Sequence, residues 1–169
     1  MLDKNGYVKL ADFGAAKYVS QTKNYKTFVG TADYIAPEVL KKLPYTKSVD
    51  WWGLGILIYE LLHGRTPYFN KNTKISFRMI LSEKPTFPET KNLSAECKNF
   101  IEQLLNKDHI KRLGATKEDN LEIRKHPWLA SIDFDKLLRY ELEPPIVPEV
   151  KDDLDVDNFN AKYTNESML

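Results

Sequence analysis

The apolar positions of this chain fall into blocks of different spacing, and the densest block sets the frame. From Trp51 to Leu62 the run Trp-Trp-Gly-Leu-Gly-Ile-Leu-Ile-Tyr-Glu-Leu-Leu carries one charge, Glu60. Apolar residues occupy every face at a helical period, so the block predicts a helix buried all round. It is shorter than the roughly 20 apolar residues that span a bilayer. Ser48 is placed to cap it, Asp50 stands in its first turn, and Gly64 ends it. Such a helix is the hub of a helical domain.

The flanking blocks have other periods. Met1 to Ala11 alternates around Asn5-Gly6, a pair that predicts a two-residue hairpin turn because both positions accept positive φ. Met1-Leu2 and Tyr7–Leu10 are then the paired strands. Residues 15–35 are polar and irregular, and Ala36-Pro37-Glu38 opens a short helix to about Lys42. Beyond the hub, three amphipathic helices are predicted: near Thr73–Ser82, from a cap at Ser94 to about Asn106, and near Lys117–Lys125. The second has Cys97, Phe100, Ile101, Leu104 and Leu105 on its apolar face.

Composition shifts after about Ala130. A short helix over Phe134–Tyr140 is followed by Pro144-Pro145-Ile146-Val147-Pro148, which must be extended. The acidic positions Asp152, Asp153, Asp155 and Asp157 lead to Phe159 and Tyr163. This stretch has no period of its own and needs another surface to lie on.

The bulk numbers add exclusions. The 169 residues suffice for one domain with a core, plus a tail. A net charge of +1 gives no global field to draw nucleic acid or an anionic membrane. One cysteine, Cys97, excludes an intrachain disulfide and a cysteine metal cluster. Residues 1–11 carry Asp3, Lys4 and Lys9 and no signal-peptide pattern, so an intracellular, cytoplasmic location is expected.

Chemistry enters through the order of short motifs. A hairpin runs into Asp12-Phe13-Gly14. A polar loop with several hydroxyls follows, then Ala36-Pro37-Glu38, then a buried helix entered through Asp50-Trp51-Trp52. That order resembles the C-terminal lobe of a eukaryotic protein kinase. Lys26-Thr27-Phe28-Val29-Gly30-Thr31, Lys111-Arg112-Leu113-Gly114, His126-Pro127-Trp128 and Asn158-Phe159-Asn160-Ala161-Lys162-Tyr163-Thr164 narrow the resemblance to the AGC group of Ser/Thr kinases. It covers essentially the whole chain.

The resemblance implies a mainly α fold: a protein kinase C-terminal lobe over residues 1–129, with a short N-terminal β-hairpin, and an extended AGC tail over residues 130–169. It implies ATP and Mg2+ as cofactors. Asp12 is then the metal ligand, since Mg2+ takes carboxylate oxygen beside the phosphates. Met1 and Phe159 join Asp12 at the nucleotide, and Phe13 packs inward. Thr27 is the activating phosphosite for an upstream kinase, with Lys17 as partner of its phosphate. Gly14 frees the backbone after Asp12, and Thr31 contacts the catalytic loop. Glu38 and Arg112 pair as a poorly solvated bridge that locks the substrate segment. Asp50 holds the catalytic-loop backbone. Glu60 receives a substrate arginine, or else partners a nearby tyrosine or backbone group.

The sequence also departs from the family pattern. Ala32 and Asp33 stand where the group more often has Pro-Glu, and Val29 replaces a frequent cysteine. The Gly-rich loop, the strand lysine and the catalytic loop with its base aspartate and asparagine are not in these residues. The catalytic base is therefore expected before Met1, the chain is expected to be a fragment, and alone it is expected to be inactive. The alternative is a catalytically inactive kinase-like module used for binding.

Overall fold

The apolar blocks fold into helices in the predicted order. The computed structural model describes residues 1–18, 31–89, 91–152 and 154–164, without the Tyr163 side chain. Its α-helices are α1 Pro37–Leu40, α2 Ser48–His63, α3 Thr73–Ser82, α4 Ala95–Leu104, α5 Asn120–Arg124, α6 Phe134–Leu138 and α7 Ala161–Thr164, with single 3-10 turns at Ala32–Tyr34 and Pro127–Leu129. The described chain is mainly helical and has no strand. It divides into two compact units, Ala15–Ile132 and Met1–Gly14 with Asp133–Leu169.

In the larger unit α2 is the hub. Thr46 Oγ1 accepts from the Ser48 amide at 3.3 Å, so Ser48 is the first helical residue and not the predicted cap. The Gly64 amide returns to the Glu60 carbonyl and closes the helix. Trp52, Gly55, Ile56 and Tyr59 are buried, and full burial of each large side chain stabilises by about 1.5–3 kcal/mol. Leu57 and Leu61 are 42% and 76% exposed, so the helix is not buried all round. Gly53, Leu57 and Leu61 share one face at helical spacing, and the neighbours that pack on α2 lie on the others.

Its main partner is α4, which presents the predicted face: Cys97, Phe100, Ile101 and Leu104 are buried. Ser94 caps α4, accepting from the Cys97 amide at 3.1 Å. Beside this pair, Tyr68 and Ile80 complete one apolar cluster. Leu113 and Ile123 join Phe100 and Leu104 in a second. α5 is shorter than predicted at both ends. Asp119 just before it has φ 52° and ψ −117°, outside the helical region, so no helix runs through it from Lys117.

In the smaller unit the predicted hairpin is reduced to one antiparallel bridge, Leu2 with Val8. The turn is also longer than predicted. Only Gly6 takes positive φ (86°), while Asp3 Oδ1 accepts the Asn5 and Tyr7 amides at 3.0 and 2.9 Å. The aspartate side chain thus stands in for a second left-handed residue and makes a three-residue turn of the bulged kind. The chain just after α6 packs against this turn. Tyr140 meets Tyr7 edge-on at 4.7 Å, and Tyr7 donates to the Leu142 carbonyl. Helix α6 starts at the Asp133 cap and stops short of Tyr140, which has φ 61°.

Two glycines of α2 separate packing from propensity. A Cβ on Gly55 would lie 2.9 Å from Leu104 Cβ and Leu105 Cδ2, whereas one on Gly53 meets nothing within 4 Å. Overpacking costs about 1–3 kcal/mol, against a helix-propensity gain of about 1 kcal/mol or less. Urea unfolding is expected to show Gly53→Ala neutral or stabilising and Gly55→Ala net destabilising. Equal effects of the two would mean that α2 and α4 are not in close contact.

Candidate functional site

The site grows from the turn Ile35-Ala36-Pro37-Glu38. Ala36 is extended (φ −71°, ψ 151°), as the residue before a proline must be. Pro37 supplies the first helical position of α1, where its missing N–H is not needed. Glu38 follows in the first turn and points into the core, with its side chain 1% exposed.

Arg112 meets it there with a side chain 0% exposed. Nη1 and Nη2 donate to Glu38 Oε1 and Oε2 at 2.7 and 2.9 Å, a bidentate pair. Nη1 also donates to the Ser48 carbonyl at 2.9 Å and Nε to the Asn106 carbonyl at 3.1 Å. The guanidinium thus ties α1 to the start of α2 and to the segment after α4. Its Cζ lies 5.2 Å from the centre of the Trp52 ring, which walls the pair off from water. The structure therefore brings Glu38 and Arg112 together as the sequence predicts.

Glu60 is half-buried, and the Tyr34 hydroxyl donates to its Oε2. Among the described residues Oε1 accepts no hydrogen bond, so the carboxylate has one oxygen committed and one open. Burial, then the Glu60 carboxylate, then Asp33 push the Tyr34 hydroxyl up to about 12. It therefore stays a donor at neutral pH. The sequence offered a tyrosine as one possible partner of Glu60 but not which one. Tyr34 lies 26 positions away, beyond any helical spacing.

Asp50 sits at the edge of a cleft of about 220 Å3 that Tyr34, Ile35, Ala36, Val39 and Tyr45 also line. Partial burial, and after it the Asp119 carboxylate, raise its carboxyl above the usual carboxylate value. Thr31 is exposed, and its carbonyl accepts the Tyr34 amide at 2.9 Å, starting the 3-10 turn that carries Tyr34. Lys17 is exposed in the same unit. Thr27 lies outside the described residues.

The expected nucleotide-side residues lie in the smaller unit. Asp12 takes φ 62°, a left-handed conformation that aspartate tolerates better than most residues. Its Oδ1 accepts the Gly14 amide at 3.3 Å. Phe13 is 69% exposed and does not pack inward, since its own unit offers no apolar wall after the turn at Asp12. Met1 and Phe159 are 67% and 55% exposed.

The sequence reading missed Lys107. Its Nζ is buried beside the Trp52 and Tyr68 rings without a hydrogen-bond partner among the described residues. Nothing in the local pattern Asn106-Lys107-Asp108 marks it as anything but a solvated turn.

The geometry is that of a segment locked by a buried ion pair onto a hub helix, the arrangement expected of a kinase C-terminal lobe. A family profile described as protein kinase domain matches residues 1–129. The chain belongs to the protein kinase family and, within it, to the AGC group whose motifs it carries. It is 43% identical to the RAC serine/threonine-protein kinase of Drosophila melanogaster over 169 residues, 99% of this chain and 27% of that protein. It is 40% identical to the RAC-beta serine/threonine-protein kinase of Homo sapiens, over 99% of this chain and 35% of that one. The Xenopus laevis RAC-beta serine/threonine-protein kinase B matches at 40%, over 99% of this chain and 34% of its own length. The chain thus spans about a third of the length of these relatives. Among the described residues no helix is long and apolar enough to cross a membrane.

Proposed function

We propose that the whole protein carrying these residues is an AGC-type Ser/Thr protein kinase acting inside the cell, with residues 1–129 in its C-terminal lobe and 130–169 in its tail. It transfers the γ-phosphoryl group of ATP to Ser or Thr hydroxyls of protein substrates, largely by positioning and electrostatics. The observation that carries this reading is the buried Glu38–Arg112 bridge beneath the segment Thr31–Ala36, in a chain matched to the kinase domain.

ATP and Mg2+ fit the residues present. Asp12 is exposed, with one carboxylate oxygen on the Gly14 amide and the other without a hydrogen-bond partner among the described residues. Mg2+ commonly takes one or two carboxylates together with substrate phosphates, so a lone aspartate is a sufficient protein ligand from this segment. When bound, Mg2+ neutralises charge on the phosphates. Met1 and Phe159 present open apolar surface for an adenine ring.

Glu60 gives this reading a substrate preference. With Tyr34 holding Oε2, Oε1 is left to accept from one N–H of a substrate guanidinium, and the AGC resemblance places that arginine N-terminal to the acceptor. In the whole kinase, Glu60→Gln is expected to lower kcat/KM on an arginine-containing peptide selectively, by about 2–5 kcal/mol if the contact is desolvated and a fraction of that at an exposed rim. Equal losses on peptides with and without the arginine would assign Glu60 to the fold alone.

Thr27 is the proposed phosphosite, with an upstream kinase as the activating partner and Lys17 as a cation for the phosphate. Charge-assisted hydrogen bonds contribute about 1.5–3 kcal/mol each. Thr27→Ala in the whole kinase is therefore expected to lower kcat/KM by about tenfold or more. Unchanged kcat/KM in that variant would make Thr27 an ordinary loop hydroxyl.

A further inference from the structure

Charge is unevenly spread over the larger unit. Residues 41–47 and 64–84 hold eight Lys and Arg against one acidic residue, Glu83, while the whole chain carries 25 against 24. Lys41, Lys42, Lys71, Lys74, Arg78 and Lys84 are all exposed, and none is in an ion pair among the described residues. By contrast, Lys47, Lys111 and Lys125 of the same unit have the carboxylates of Asp119, Asp108 and Glu118 at 2.6, 3.7 and 2.7 Å.

The helices gather these cations at one corner of the fold. Ser76 and Ile80 form the buried face of α3, with Phe77 and Met79 partly buried beside them. Lys74 and Arg78 are four positions apart and so share the opposite, exposed face, and Lys71 stands just before the Asn72 cap. α1 packs against α3, and Lys41 and Lys42 follow α1 directly. Burial drives the Lys107 ammonium down to about 7; Glu83 opposes the shift, while Arg112 and Lys41 add to it. Lys41 after α1 and Glu83 after α3 thus act on the same buried amine, and Lys84 lines the cavity beside it.

Like charges four apart on a helix destabilise it, so this face disfavours the free chain and is relieved by an anion. The kind of anion follows from the charge balance. A membrane or a long nucleic acid meets the molecule well beyond this corner, where acidic residues outnumber basic ones. A short acidic segment stays within about 10 Å, the reach of a charge at 0.1 M salt, and so meets the cations alone. Leu43, Ile75 and Leu81 are exposed beside the cations and add apolar surface. We propose that the exposed face of α3, with the turn after α1, is a docking surface for an acidic peptide segment of a partner protein. Its carboxylates meet Lys74 and Arg78 at the centre, with Lys41, Lys42, Lys71 and Lys84 around them. The surface uses none of the residues on which the kinase reading rests.

The test is fluorescence anisotropy of a labelled octaglutamate peptide titrated with the full chain, beside vesicles of equal parts phosphatidylcholine and phosphatidylserine. The peptide is expected to bind saturably, more tightly than the vesicles, and to weaken as salt rises. The double variant Lys74→Glu with Arg78→Glu is expected to weaken peptide binding about tenfold or more. Lys4→Glu with Lys117→Glu makes the same charge change at exposed residues elsewhere and is expected to leave it unchanged. Absence of saturable peptide binding, equal losses in the two double variants, or tighter binding to the vesicles than to the peptide overturns the proposal. If Lys74→Glu with Arg78→Glu does not fold, Lys71→Glu with Lys84→Glu, both outside the helices, takes its place with the same expectation.

Discussion

A charge buried on both sides is the constraint on which the larger unit depends. Glu38 and Arg112 have essentially no exposed side-chain surface, so each has lost its water. Desolvating two ions costs several kcal/mol apiece, and their attraction offsets this only when the remaining donors are also met. Here they are: the guanidinium bonds both carboxylate oxygens, the Ser48 carbonyl and the Asn106 carbonyl. Such an arrangement adds little net stability compared with an apolar packing. It does make separation from one side expensive, because the partner left behind is an uncompensated ion. Three segments distant in sequence are thereby held in one register.

That register explains what lies in front of the bridge. α1 is only four residues long and cannot hold itself in place by helix formation. Its position is fixed by Glu38, and the chain leading into it carries Thr31 and Tyr34 along. Tyr34 then reaches Glu60 on α2, so the Glu60 carboxylate and the loop before α1 are joined by one hydrogen bond. The hub helix supplies the rigid side of both contacts. Its buried face packs on α4 through Gly55, close enough that a methyl group there would collide.

The sequence carried the architecture further than the details. Helical periodicity located α2, α3 and α4, and the Ser94 cap was readable from its residue type alone. Motif order gave the Glu38–Arg112 pairing although 74 positions separate the two residues. What was not legible depended on contacts without a period. The Asn5-Gly6 turn differed because the Asp3 side chain captured two amides. The exposed stripe of Leu57 and Leu61 was hidden by an apolar pattern that looks the same on every side. Phe13 was expected inside, but a turn at positive φ in Asp12 leaves it at the surface of its unit. Lys107 was invisible for the opposite reason. Its burial comes from Trp52 and Tyr68, which lie 55 and 39 positions earlier in the chain.

The most direct test of this account is a double-mutant cycle on the bridge, with Glu38→Gln, Arg112→Met and the double variant compared by urea unfolding. Each single substitution is expected to destabilise by about 3–5 kcal/mol, and the pair to show a coupling of about 2 kcal/mol or more, because the second change removes a charge already stranded by the first. Single effects below about 1 kcal/mol with coupling near zero would contradict the account, since that is the behaviour of a solvated surface pair.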